Sequence, residues 1–314
     1  MIDRPAAPPR ASRTGLYQVC AAGVLWGTGG VVVTLLHDRA ALGAMTVSAW
    51  RMAVAAVALV AFAAVTGRLR PAVALMRTHP LLTIVIGTGT AAYQGLYFVS
   101  VLLVGVGVAT VVSLGLAPIL AATWEHVARR TRPSWTEAAI LGAALAGLLL
   151  ISATAGHGSP TPGGNPTVGL ALAVAAGATY AATTVLGHTL AQRADPIALT
   201  TCTTTVGAVV LAPFAVVAAA TGQPLVPGDA WSLVLLVYLG VGTMALSYGL
   251  LYAGLRTTSG AAATIATLME PLSAALLAAL VLGERLTWPT MLGGVLILAA
   301  VVALRPDEEH PAPA

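Results

Sequence analysis

The sequence predicts an all-α membrane protein: ten transmembrane helices in two inverted five-helix repeats, with both termini cytoplasmic. Three observations carry this. Of 314 residues, 58% are hydrophobic and 8% charged, whereas about 25% of residues are charged in an average soluble domain. The apolar residues gather into runs of about 20 residues, the length that crosses a hydrocarbon core. Much of the first half of the chain also recurs in the second.

In order, the expected spans are Leu16 to Leu36, Ala44 to Thr66, Pro80 to Val104, Gly107 to Ala128, Ser134 to Ala153, Val168 to Leu190, Pro196 to Thr221, Ala230 to Ala253, Gly260 to Leu282 and Trp288 to Leu304. The third and fourth are separated only by Gly105-Val106-Gly107, which predicts a tight turn. The first span is too long for a cleaved signal peptide.

The recurrence is specific at residues that seldom match by chance. At a shift of 154, Ala22, Gly23, Trp26, Arg39 and Ala40 fall on Ala176, Gly177, Tyr180, Arg193 and Ala194. At 155, Thr66-Gly67 falls on Thr221-Gly222, and Gly87, Thr88, Tyr93, Leu96 and Tyr97 on Gly242, Thr243, Tyr248, Leu251 and Tyr252. At 153, Gly107, Ala109, Pro118, Ala121, Ala122, Arg132 and Trp135 fall on Gly260, Ala262, Pro271, Ala274, Ala275, Arg285 and Trp288. The expected organisation is a disordered tail over 1–14, one repeat over 15–154, an external linker over 155–166, a second repeat over 167–305 and a tail over 306–314.

Every basic residue other than histidine is arginine. With the N-terminus inside, twelve arginines lie in cytoplasmic segments (4, 10, 13, 68, 70, 77, 129, 130, 132, 193, 256 and 305) and two, Arg39 and Arg285, outside. This is the asymmetry of the positive-inside rule. Five spans per half is an odd number, so the second repeat must enter from the opposite side.

The ninth span holds Met269-Glu270-Pro271 in the middle of an apolar run. A carboxylate at that depth is costly unless it faces protein, water or a partner charge. Pro271 removes an amide and frees a carbonyl near Thr267, and both Pro118 and Pro271 are expected helix breaks beside a cavity or partner helix.

These features together resemble the EamA-type branch of the drug/metabolite transporter superfamily. The residues that carry the resemblance are Leu25-Trp26-Gly27, Trp50-Arg51, the Tyr-rich third and eighth spans, and Glu270-Pro271-Leu272 followed by Leu282-Gly283-Glu284-Arg285-Leu286-Thr287. The first copy departs from the second, with Ala117 in place of Glu270 and Thr131 in place of Glu284. The resemblance implies a central cavity worked by alternating access and a cargo of amino acids, other metabolites or drugs. Some relatives carry nucleotide sugars or sugar phosphates.

Candidate binding or coupling residues are Glu270, Arg51, Trp26, Tyr93, Gln94, Tyr97, Tyr180 and Tyr248. Glu270 could bind a substrate ammonium or exchange a proton during transport; otherwise it is a polar contact that fixes two helices. Arg51 either snorkels to the outer interface or faces the cavity and pairs with Glu270 or a substrate carboxylate. The tyrosines lie in the inner parts of spans, where their hydroxyls need partners, whereas Trp135, Trp231 and Trp288 fit an interfacial belt. Glu125, His126 and His188 lie near inner helix ends and read as interfacial. The threonine cluster over 200–205 fits helix–helix contact, as do Gly27, Gly29 and Gly30.

Enzyme readings find no support: HExxH, a phosphate loop and a Gly-x-Ser-x-Gly elbow are all missing, and Asp229 has no partner aspartate in a span. Cys20 and Cys202 cannot hold zinc alone. The net charge of +4 is scattered over loops, unlike a nucleic-acid surface. No cofactor is expected, and the oligomeric state is open. The leading expectation is therefore a multi-pass bacterial inner-membrane exporter driven by a gradient, with a small-molecule substrate, the lipid bilayer as its surroundings and proton coupling through Glu270. The alternatives are a lipid-linked or sugar-phosphate carrier, against which the single Arg51 argues, and a membrane scaffold or sensor that transports nothing.

Overall fold

The computed structural model describes residues 13–40, 42–154, 165–281 and 287–304. Among these residues there are thirteen α-helices, one π-helical segment and no strand. The helices are α1 (Thr14–Ala40), α2 (Ala44–Val65), α3 (Leu69–Thr78), α4 (Pro80–Val104), α5 (Val106–Arg129), α6 (Trp135–Thr154), α7 (Pro166–Ala191), α8 (Pro196–Ala220), α9 (Ala230–Gly240), α10 (Ser247–Gly254), α11 (Gly260–Ala266), α12 (Met269–Val281) and α13 (Trp288–Ala303). The π segment, Val241–Leu246, joins α9 to α10. Nine stretches of the described residues are long and apolar enough to cross a membrane, two of them built from consecutive short helices. The tenth expected span is the 16-residue helix α13, about 24 Å long at 1.5 Å per residue. Residues 1–12 of the expected tail over 1–14, the whole tail over 306–314, most of the linker (155–164) and the stretch 282–286 with Glu284 and Arg285 lie outside the described residues.

Local chemistry accounts for where the helices begin and end. Asn165, Asp195, Asp229 and Ser259 each accept a hydrogen bond from a first-turn amide of the helix that follows, and Pro166 and Pro196 occupy the first helical position, where the missing N–H costs nothing. Asp229 is thus a cap, and its hydrogen bonding with Ser232 holds its carboxyl below the usual carboxylate range. Ser134 and Glu137 form a reciprocal capping box at 2.6 and 3.2 Å. Gly67 and Gly222, matched in the repeat, have φ of 72° and 74° and close α2 and α8 in the same way: Arg68 N donates to Ala63 O, and Gln223 N to Ala218 O. Only glycine takes this left-handed position without cost. The expected turn between the third and fourth spans is a single residue, Gly105, with φ of 84°.

Helix α3 has no counterpart in the expected spans. Its ten residues fall in the arginine-bearing connection, where a length criterion for spans cannot register them. One face, with Ala72 and Leu75, is buried, and the α3 backbone is tied to α8 by a 3.2 Å contact from Cys202 Sγ to Ala72 O.

The two halves interlock by exchange of equivalent partners. Helix α4 packs on α7 as α10 packs on α1; α5 packs on α7 as α12 packs on α1; α2 meets its counterpart α8, and α6 meets α13. Apolar burial does not drive helices together in lipid, so these contacts depend on close packing of small residues. The matched Gly23 and Gly177 show this. A Cβ on Gly23 would meet Thr267 O at 3.1 Å and Met269 Cβ at 3.2 Å, and one on Gly177 would meet Ser113 O at 2.6 Å and Leu116 Cβ at 3.1 Å. Leu116 and Met269 are themselves counterparts at the shift of 153. At the α6–α13 crossing, Gly147 and Gly293 face each other's carbonyl oxygens.

Two departures from symmetry fall in the second half. Helix α5 runs unbroken through Pro118, which corrects the expected break there, whereas α11 ends at Ala266 and α12 begins at Met269, two residues before Pro271. The neighbouring side chains explain the difference. Thr264 and Thr267 donate to Ala261 O and Thr264 O at 2.8 and 2.9 Å, offering carbonyls a replacement partner where the ladder stops. Their counterparts Val111 and Leu114 offer none, and losing one amide in a 24-residue helix leaves the ladder otherwise whole. Likewise, Ser247 Oγ donates to Gly242 O, five residues back, at 2.9 Å in the π segment; its counterpart Ala92 sits in the regular helix α4.

Candidate functional site

Aromatic side chains from both halves meet in two equivalent strings. Trp26 of α1 packs edge-on against Tyr248 of α10 at a centroid distance of 5.2 Å, and Tyr248 lies 6.1 Å from Tyr252. In the other string Tyr180 of α7 stacks on Tyr93 of α4 at 5.1 Å, and Tyr93 lies 6.0 Å from Tyr97. Every pair is the repeat image of its opposite number, since Trp26 matches Tyr180, Tyr93 matches Tyr248 and Tyr97 matches Tyr252. Hydroxyls of the strings find partners inside: Tyr97 Oη with Thr110 Oγ1 at 2.7 Å, Tyr180 Oη donating to Thr267 Oγ1 at 2.9 Å, and Tyr252 with Thr203 and Thr90. Tyr180 thereby touches the turn between α11 and α12.

Glu270 stands in the first turn of α12, where a carboxylate is favourably placed against the helix dipole. Its carboxylate makes no hydrogen bond or ion pair with another described residue: the ion pairs found there are Arg68–Asp195 and His126–Glu137. Beside it, Ser273 Oγ donates to Glu270 O at 3.0 Å and to Val24 O of α1 at 3.3 Å. Glu270 is half-buried.

Arg51 turns toward the π segment: Nη2 donates to Thr243 Oγ1 at 3.0 Å and approaches Met244 Sδ at 3.6 Å, while buried Nε has no partner. Thr243 Oγ1 in turn donates to Leu239 O at 2.6 Å. The guanidinium therefore engages the neighbouring span. It lies within electrostatic reach of Glu270 without touching the carboxylate. Gln94, beside Tyr93, is buried with both amide atoms unpartnered, an unusual cost in a low-dielectric interior.

Thus Glu270, Arg51, Trp26, Tyr93, Gln94, Tyr97, Tyr180 and Tyr248 come from α1, α2, α4, α7, α10 and α12, helices of both repeats that are linked to one another by packing contacts. Thr243, Thr267 and Thr110 are polar partners that sequence reasoning did not select. The signal for Thr243 was its pairing with Thr88 in the repeat, and for Thr267 its place four residues before Pro271. The other ionisable residues stand apart. Glu125 Oε1 accepts from Ala261 N at 2.8 Å and so caps α11 from α5, a tie between helices where a surface role was expected. His126 Nδ1 lies 3.0 Å from Thr131 Oγ1. The α8 threonines Thr200, Thr201, Thr203 and Thr205 donate to carbonyls within their own helix.

Two copies of the EamA-like transporter family model match the chain, over residues 13–153 and 167–305. The chain belongs to the EamA-like transporter family. It is a multi-pass membrane transporter. Among curated relatives, it is 27% identical over 302 residues to the uncharacterized inner membrane transporter YicL of Salmonella typhimurium, covering 96% of this chain and 98% of that one. It is 30% identical over 216 residues to the uncharacterized transporter YwfM of Bacillus subtilis, covering 68% of this chain and 69% of the relative. A solved crystal structure superposes with a TM-score of 0.75 over 92% of this transporter and 95% of that chain at 18% identity, a likeness of fold.

Proposed function

We propose that this transporter is a secondary exporter of the bacterial inner membrane, built of ten spans in two inverted repeats with both termini cytoplasmic, and that it moves small amphipathic solutes, such as amino acids or cationic drugs, by alternating access. The observation that carries the reading is the Glu270 carboxylate, inside a span, with no hydrogen bond or ion pair to a described residue and within electrostatic reach of Arg51 and of a tyrosine from each aromatic string. Such a group is expensive to keep in a membrane and is retained where a solute cation or a proton is its partner. Arg51 offers the complementary charge for a solute carboxylate, and the rings offer flat apolar surface that also binds cations. One guanidinium is a poor match for a phosphate, which is usually held by several cations. The inner-membrane assignment follows the name of the relative YicL; export follows the resemblance.

The side-to-side bonding supports the topology. Connections assigned to the cytoplasm are tied to one another by the Arg68–Asp195 ion pair, by Gln192 Nε2 donating to Leu255 O at 2.8 Å, and by the Glu125 cap on α11. On the opposite side Trp50 Nε1 donates to Leu225 O at 2.6 Å. A reporter fused after Arg305 should read cytoplasmic and one inserted at 156–166 external; two reporters on the same side would refute the inverted scheme. The function is tested by purified protein in proteoliposomes, loaded with a panel of amino acids, amines and sugar phosphates. Flux of amino acids or amines that responds to an imposed pH gradient is the expected result. Flux of sugar phosphates alone would favour the carrier alternative, and no flux of any solute would favour a scaffold.

A further inference from the structure

We infer that helix α3 forms a binding site for an anionic phospholipid of the cytoplasmic leaflet. α3 connects the span that ends at Val65 to the one that begins at Pro80, so it lies at the membrane boundary. Its inner face is occupied, with Ala72 and Leu75 buried and Ala72 O bonded from Cys202. Its outer face is not. Leu69, Arg70, Val73, Ala74, Arg77 and Thr78 line an open groove of about 500 Å³ along the helix. Leu69 and Val73 are 37% and 49% exposed, an apolar floor that a fully aqueous surface would leave uncovered.

Charge identifies the occupant. Arg70 and Arg77 are both exposed and neither forms an ion pair with a described residue, whereas the adjacent Arg68 is consumed by Asp195. They stand seven residues apart, two turns and about 10 Å along one face, on either side of Val73 and Ala74. A guanidinium matches a phosphate with two parallel hydrogen bonds, and Val73 and Ala74 between the two arginines, with Leu69 just before Arg70, supply the surface for the start of an acyl chain. An amphipathic helix with arginines flanking aliphatic residues is the arrangement that lies in the interface of anionic lipid. A soluble anion would use the arginines and leave the apolar floor bare, so a phospholipid fits where free phosphate does not.

The test is lipid retention by the full chain, measured by native mass spectrometry after release from nanodiscs of phosphatidylglycerol and phosphatidylcholine. Nanodiscs expose both leaflets, so the outcome does not depend on the proposed topology or on transport. Wild type should retain phosphatidylglycerol in preference to phosphatidylcholine. R70Q and R77Q should each weaken retention roughly five-fold, and the double variant roughly thirty-fold. R193Q, on another exposed loop, should leave it unchanged. Val73→Gln keeps both arginines and the positive charge that governs insertion, and should weaken retention by removing the apolar floor. Equal loss in R193Q, unchanged retention in the double variant, or full competition by inorganic phosphate with V73Q without effect would each overturn the site.

Discussion

Replacing Glu270 with Gln is expected to lower proton-dependent transport by roughly ten- to a hundred-fold, the effect of losing one charged hydrogen bond worth about 1.5–3 kcal/mol at the step where it is made. The substitution keeps shape and hydrogen-bonding capacity but removes both the charge and the exchangeable proton. Protein stability should change little, because the carboxylate has no described partner to lose. That separation decides the case. A helix-fixing contact would lose stability first, whereas a solute or proton site loses flux and pH response while the protein stays folded. The measurement is flux in proteoliposomes at several pH values beside thermal unfolding in detergent. Wild-type flux with unchanged pH dependence would remove Glu270 from the mechanism. Since Arg51 is electrostatically linked to Glu270, R51Q tests the opposite end of the site in the same assay.

The second large effect should come from a residue with no side chain at all. Gly27→Leu should destabilise the protein by about 1–3 kcal/mol or more, as overpacking does when neighbours cannot yield, and should abolish transport. A Cβ at Gly27 would meet Ser273 Oγ and would lie 2.5 Å from Glu270 O and 2.9 Å from Ala274 N. Two of these three are backbone atoms of α12, so relief requires moving α1 away from the half-helix that carries Glu270. The intrinsic gain from replacing a helical glycine, about 1 kcal/mol, is the smaller term. Gly249 provides the control. Nothing lies within 4 Å of a Cβ built there, so G249A should hold or raise stability. Equal thermal unfolding for G27L and G249A would show that the α1–α12 approach does not matter.

The sequence by itself determined the class and most of the repeat, for physical reasons that act locally. Spanning a bilayer requires about 20 apolar residues with every backbone group satisfied internally, and that constraint is written in composition and run length. Residues such as Gly23 and Gly177, or Gly67 and Gly222, are fixed by backbone approach or positive φ, so their pairing in the sequence survived as pairing in space. Tertiary structure alone decided what depends on neighbours from other helices. Arg51 was compatible with snorkelling until Thr243 stood 3.0 Å away. Pro118 and Pro271 read alike, yet only the second accompanies a break, because Thr264 and Thr267 supply hydroxyls where Val111 and Leu114 cannot. Glu125 looked like a surface charge and caps a helix 136 residues away. The π segment and the surroundings of the Glu270 carboxylate likewise arise from side chains and backbone groups brought together by packing, which no run of residues encodes on its own.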